Sequence, residues 1–404
     1  MKPKTKYDTS PNEDEQVDIS APIQVSPNTT LFNSPSPVDQ IKTSFAPETE
    51  KILGEAMGSQ FANTMAEEGF HPVLIFGAPA SGKTAFLLSL IKYMYVGANS
   101  GSQIRLLLNL FPNESSSVRK DLIEQDRERW IEVKKYANIL FNKHATDFLQ
   151  ANQITSITDV SYPFFIPIEV TPRKEGLKPL RVAFLEGKGE WYATKPEDES
   201  QSPHQTFRPE ILAFLENFPG GITSIFVAPF ALESYDSHTD GESSASAPKI
   251  RERDFALYGL IDQFEKCRAN QVESDNYLYL LTKWDIRCGS ISNPEFIYKD
   301  VSILENEIQA KFPMSFNRFQ NIREISKEIP TINAKGRKTF SAYCAGIMKA
   351  SVVNLPAESR VRVDHFSRKL WNYFYLNSTN DFLYEEFKPV HVSFFQKIIN
   401  WIRK

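Results

Sequence analysis

The sequence predicts an α/β fold of three layers, with a mostly parallel central sheet, one antiparallel strand, and helices on both sides. Three observations predict it. Short apolar runs of strand length alternate with longer helical segments between about residues 48 and 350. A glycine-rich stretch joins the first strand directly to an apolar helix. Pro163–Val170 and Arg181–Leu185, joined through Pro172, Gly176 and Pro179, read as a hairpin or a pair with a short connection. With 404 residues, 41% hydrophobic and 12% aromatic, the chain can fill a sizeable core.

Residues 1–47 are crowded with Pro, Ser, Thr and Asn. They cannot bury enough apolar area to offset the entropy of ordering, so a disordered tail is expected. The domain, residues 48–350, opens with a helix over Glu48–Glu68, the strand His71–Phe76 and the helix Ala85–Val96. Gln103–Leu110 carries a strand-like apolar run. A helical insertion is expected at about 97–154, where Leu122, Trp130, Val133, Ala137, Leu140 and Phe141 recur at helical spacing within Val118–Gln150. After the paired strands come a helix near Pro209–Asn217, the strand Ser224–Pro229, a loop over Glu233–Pro248 and the helix Glu252–Cys267. The strand Tyr277–Leu281, the helix Ile303–Lys311 and the strand Lys338–Tyr343 complete the domain. Residues 351–404 read as a helical appendage whose aromatic run Trp371–Tyr375 suits a core. Its last stretch, Ser393–Lys404, gathers Phe394, Phe395, Ile398, Ile399 and Ile402 on one face; it could pack on its own domain, dock on a partner or lie on a membrane surface.

Charge and composition narrow the function. A net charge of −4 from 46 basic and 50 acidic residues gives no overall attraction for nucleic acid or an anionic membrane. Three scattered cysteines and histidines without ligand spacing argue against a disulfide framework or a zinc centre. The basic first residues are followed by no apolar stretch, and no window approaches the ~18 apolar residues that span a bilayer. A cytoplasmic protein is the expectation.

Gly77-Ala78-Pro79-Ala80-Ser81-Gly82-Lys83-Thr84 fits the pattern G-x-x-x-x-G-K-[ST] at every fixed position, between an apolar strand and an apolar helix. Glycines at 77 and 82 let the chain wrap tightly, so that N–H groups of Ala80, Ser81, Gly82, Lys83, Thr84 and Ala85 can point at phosphate oxygens. Lys83 brings a positive charge to the outer phosphates and Thr84 a hydroxyl to Mg²⁺. The pattern therefore predicts a nucleoside triphosphate held with Mg²⁺. Two further segments follow strands and share the carboxyl edge of such a sheet, where ligands bind. They are Glu186-Gly187-Lys188-Gly189-Glu190 and Thr282-Lys283-Trp284-Asp285.

In kind and order these motifs resemble those of the P-loop GTPases of the translation-factor and Ras-like class. The resemblance lies in the motifs and covers about residues 50–350. It implies a P-loop NTPase fold, GTP or GDP with Mg²⁺ as ligands, and slow hydrolysis by a molecular switch that acts on a protein partner or a second copy. Thr282-Lys283-Trp284-Asp285 looks like the guanine-recognition segment: Asp285 would accept hydrogen bonds from the guanine N1–H and amino group, and Lys283 would lie along the base. Adenine lacks that donor pair, which would leave a buried carboxylate unpaired. Glu186 stands where the class has an aspartate touching Mg²⁺ through water, Gly189 where an N–H meets the γ-phosphate, and Glu190 where a glutamine orients the attacking water. Thr158, or Thr155, would be the threonine that closes over Mg²⁺, although either could equally cap a helix. Phe340-Ser341-Ala342-Tyr343 resembles the loop whose Ser and Ala backbone meets the guanine O6. The Glu186 form and the long insertion are most like divergent bacterial, double-GTPase-like members found with defence or signalling partners. Two other readings stay open, an ATPase of the same superfamily and a non-hydrolysing interaction module that keeps a nucleotide.

Overall fold

The structure, a computed structural model, describes residues 47–78, 81–95, 101–111, 123–144, 161–187, 207–229, 246–271, 274–282, 301–325, 341–344 and 357–387. All of them belong to the compact unit Ala46–Lys404. In chain order the elements are α1 (Pro47–Glu67), β1 (His71–Phe76), α2 (Lys83–Tyr95), β2 (Ser102–Leu106), α3 (Ile123–Asn138), β3 (Phe164–Pro172) and β4 (Leu180–Glu186). There follow α4 (Pro209–Asn217), β5 (Thr223–Pro229), α5 (Ser246–Cys267), β6 (Asn276–Thr282), α6 (Val301–Lys311), α7 (Pro313–Ile325), β7 (Ser341–Cys344) and α8 (Ala357–Thr379).

The strands form one sheet in the order β2-β3-β4-β1-β5-β6-β7. Neighbours from β4 to β7 are parallel, and β3 alone among the described strands runs the other way, antiparallel to β2 and β4. Every residue of β1, β5 and β6 is buried. That suits their continuous apolar sequences, since a parallel strand covered on both faces has no wet side. The edge strand β2 instead exposes Gln103 and Arg105 while burying Ser102.

Side-chain alternation along β4 shows how the layers form. Phe184 packs edge-on against Trp371 and Phe374 of α8. Its neighbour Leu185 points to the other face and lines a small cavity with Phe61 of α1, Phe165 of β3 and Phe214 of α4. Trp130 of α3 meets Phe61 on that second face, and Phe264 of α5 meets Phe76 and Phe226 there. On the first face the Trp371 indole N–H donates to the Leu90 carbonyl of α2 at 3.0 Å. Helices thus cover both faces, and the aromatic run 371–375 is buried as its composition suggests.

Three elements differ from the sequence reading. Gln103–Leu110 stops as a strand at Leu106 and turns into a 3₁₀ helix over Leu108–Leu110, which brings the consecutive Leu110 and Phe111 both into the core. A strand would have sent one of them outward. The α3 helix widens into a π turn over Ile139–His144, which likewise buries the adjacent Leu140 and Phe141. Helix α7 has no counterpart in the sequence reading. Its amino end is capped from another helix, where the Asp254 carboxylate of α5 accepts the Met314 and Ser315 N–H groups at 2.9 and 2.8 Å.

The level at which β5 and β6 end is set by a buried ion pair at their opposite end. Arg268, 1% exposed, donates to both Asp275 carboxylate oxygens at 3.0 and 2.9 Å. It also donates to the carbonyls of Leu215, Phe218 and Gly220. The Asp275 carboxylate in turn accepts the Ile222 N–H. One guanidinium therefore ties the end of α5 to the α4–β5 connection and to the start of β6, where Thr223 pairs with Asn276. Removing one partner of such a pair strands a buried charge. Arg268→Leu should lower unfolding free energy by about 3–5 kcal/mol in a urea titration; a loss under about 1 kcal/mol would show that the pair is dispensable.

Candidate functional site

β1 lies between β4 and β5, with Leu74 level with Leu185 and Phe76 level with Phe226. The chain therefore leaves β1 at Gly77 beside the ends of both neighbours. A Cβ at Gly77 would sit 2.7 Å from the Val227 carbonyl oxygen and 2.8 Å from Ser81 Oγ, so only glycine fits. The Ser81 N–H closes the turn on the Ala78 carbonyl at 3.2 Å. Gly82, with φ +92°, takes the left-handed conformation that other residues resist. Its carbonyl accepts the Phe86 N–H, which begins α2. The first-turn N–H groups of that helix lack intrahelical acceptors and carry its positive dipole end.

Lys83 opens α2 and is 6% exposed; its ammonium donates to the Gly77 and Ala78 carbonyls at 2.8 and 3.1 Å. The charge is thus held over the turn itself. Next to it the Thr84 hydroxyl donates to Glu186 Oε1 at 2.9 Å. Glu186 is the last residue of β4 and is 5% exposed. Burial pushes its carboxyl above the ordinary carboxylate range, against the lowering influence of the Lys83 ammonium, the Thr84 hydroxyl and the Gly187 N–H. Its Oε2 and the hydroxyl of Ser81 are buried and have no hydrogen-bond partner. Two orphaned oxygens at one turn, beside a lysine and a threonine, leave acceptor capacity that a cation or a donor can use.

Thr282 ends β6 and is 4% exposed. Its hydroxyl donates to the Ser81 carbonyl and lies 3.4 Å from that of Ala228. It joins the ends of β5 and β6 to the turn after β1. Lys83, Thr84, Glu186 and Thr282, singled out from separate stretches of sequence, therefore meet at one sheet edge with Gly77, Ser81 and Gly82; Ala85 follows in the first turn of α2.

Ser341 and Ala342 are not brought to that edge. They begin β7, level with Leu278 and Tyr279 of β6, so that three and two residues of β6 still separate their level from Thr282. Their backbone is part of the sheet ladder instead of a loop beyond it. Ala80, Thr155, Thr158, Gly189, Glu190, Lys283 and Asp285 lie outside the described residues. Val227 and Ala228 of β5 escaped the sequence reading. Their contribution is backbone carbonyls, which any residue supplies, so their side chains carry no signal.

Among the described residues no group of three or more His, Cys, Asp or Glu could hold a metal. An ion beside Glu186 would draw most of its oxygens from elsewhere, as Mg²⁺ does when it is shared with phosphates. Among the same residues no helix is long and apolar enough to cross a membrane. No family model matches the chain, and no curated protein matches it either.

The burial of Glu186 predicts a pH signature. Because its folded-state value lies above the unfolded one, the protonated form is favoured in the fold. That contribution is present at low pH and is lost as pH rises through the folded value. Glu186→Gln removes the ionisation. Its unfolding free energy relative to the parent protein should climb as pH rises from about pH 4 upward in chemical denaturation. A constant difference across that range would show that the carboxylate is well solvated.

Proposed function

We propose that this chain is a guanine-nucleotide-binding P-loop GTPase of the translation-factor and Ras-like class, one that hydrolyses GTP slowly and acts in the cytoplasm as a switch toward a protein partner. The observation that carries the reading is the meeting of Lys83, Thr84 and Glu186 at the end of β1. A buried ammonium, a hydroxyl and a carboxylate stand there beside the amino end of α2. Few ligands other than a polyphosphate with a divalent cation need all four features together.

In this reading the first-turn amides and Lys83 hold the β- and γ-phosphates, with the ammonium exchanging its loop carbonyls for phosphate oxygens. Thr84 and Glu186 would hold Mg²⁺, with Thr158 as the further ligand that the resemblance implies. Bound there, the ion supplies charge neutralisation on the phosphate oxygens. Lys283 and Asp285 directly follow Thr282, whose hydroxyl is fastened to the turn. The segment that would read the base is thus tied to the segment that would hold the phosphates. In hydrolysis a water oxygen bonds to the γ-phosphorus as the bond from that phosphorus to the β–γ bridging oxygen breaks, releasing GDP and inorganic phosphate. Glu190, near the Gly189 amide in sequence, is the group that would orient this water and take its proton. Positioning and electrostatics carry such a reaction, and without an arginine supplied to the site the rate is slow.

Calorimetry of the full chain with Mg²⁺ should show binding of GTP and GDP and little of ATP. Lys83→Ala should weaken GTP by about 10- to 100-fold, the worth of charge-assisted hydrogen bonds. Asp285→Asn should move the preference from guanosine toward xanthosine triphosphate, because the amide presents a donor where the carboxylate accepts. Equal binding of ATP and GTP, unchanged by that substitution, would favour an ATPase. Binding without phosphate release in single turnover, alone or with a second copy, would favour an interaction module.

A further inference from the structure

A cluster of charged side chains stands one strand away from Glu186, at the same edge of the sheet. Phe164 of β3 is level with Glu186, and Ser161 and Tyr162 lead into that strand. Arg208 immediately precedes α4. Its guanidinium donates to the Ser161 carbonyl at 3.2 Å and to both carboxylate oxygens of Glu210 at 3.2 and 3.1 Å. Glu210, 4% exposed, also accepts from Arg129 of α3 at 3.2 Å. Arg129 is itself buried, pairs with Glu50 of α1 at 2.6 Å and lies 4.3 Å from the centre of the Tyr162 ring. The entry to β3 and the entry to α4 are thus bonded to each other through Arg208 and anchored on the same buried arginine.

Helix stability does not account for Arg208. Its carbonyl accepts the Ile211 and Leu212 N–H groups that open α4, but its side chain makes no capping bond. Arginine is not among the residues favoured at that position, and a cation there opposes the helix dipole. What its guanidinium does is join two chain segments. In sequence, Thr158 stands three residues before Ser161, and Glu190 lies between Glu186 and Arg208. We infer that Arg208 is a positioning residue for the candidate site: it holds the entries to β3 and α4 as one body, so that both respond together when triphosphate replaces diphosphate. The inference rests on the nucleotide reading above and assigns how two segments of that same site are coupled. Lysine cannot take the role, because a single ammonium lacks the planar fork that spans a carbonyl and a carboxylate at once.

Hydrogen–deuterium exchange on the full chain with Mg²⁺ tests it, comparing GDP with a non-hydrolysable GTP analogue. In the parent protein the amides of Ser161 and Tyr162 and those of Ile211 and Leu212 should change exchange rate together, each by about fivefold or more. In Arg208→Ala and Arg208→Lys the change at Ile211 and Leu212 should persist, while that at Ser161 and Tyr162 falls below about twofold. GTP affinity in both variants should stay within about threefold of the parent value, since Arg208 is not assigned to the nucleotide. A salt bridge that only stabilises the fold would leave the nucleotide-dependent difference as it is in the parent. Retention of both changes in either variant therefore overturns the inference. So does a parent protein that binds GDP and the analogue yet responds at one pair of amides or at neither, and this result needs no variant to fold. Binding of neither nucleotide removes the inference and the nucleotide reading alike.

Discussion

The position of β1 between β4 and β5 is the constraint from which the site follows. Parallel pairing on both sides holds Leu74 level with Leu185 and Phe76 level with Phe226. The turn after β1 must therefore pass the Val227 carbonyl at one side and Glu186 at the other. A side chain at Gly77 would collide with that carbonyl. Close backbone approach then forces the chain to curl, and the curl places the Lys83 ammonium over its own carbonyls and Thr84 against Glu186. Shifting β1 by one residue would turn every one of its side chains to the opposite face, so the site is registered by the core beneath it.

That core is unusually aromatic, and its rings divide the work between the two faces. Phe184 meets α8 through Trp371 and Phe374, while Phe61, Phe165 and Phe214 gather on the opposite side with Trp130. The edge-to-face pairs among them, Phe184 with Trp371 and Phe374 and Phe61 with Phe165, prefer defined angles and so hold the helices in place more specifically than aliphatic contacts do. The indole N–H of Trp371 adds a directed bond to α2, the helix that carries Lys83 and Thr84. The carboxyl-terminal helix α8 thereby bears on the site from behind, through the helix that presents it.

Buried charge is used at both ends of the strands, with different outcomes. At the amino end, Arg268 and Asp275 satisfy one another and the nearby carbonyls, which locks the sheet. At the carboxyl end, Glu186 and Ser81 keep oxygens without partners. A satisfied network is rigid, and an unsatisfied one carries a cost that a ligand can relieve. The two ends are linked through β5 and β6, whose starts are set by the ion pair and whose ends carry Val227, Ala228 and Thr282.

Much of this was legible in the chain itself. An apolar run marked β1, a helix was expected near where α4 lies, and the pairing of β3 with β4 was readable from the turn residues between them. Gly77, Gly82, Lys83 and Thr84 stand out because their chemistry demands those residue types at that spacing. Other features depend on partners distant in sequence. The cap of α7 comes from Asp254, the end of β2 is decided by where Leu110 and Phe111 can be buried, and Ser341 and Ala342 belong to the ladder because β6 lies alongside. Local sequence determines which conformations a segment prefers and which chemistry its side chains can supply. Only the packed sheet decides which segments end at the same level, because register is set by long-range pairing and by burial on both faces, and neither is encoded in any one stretch of the chain.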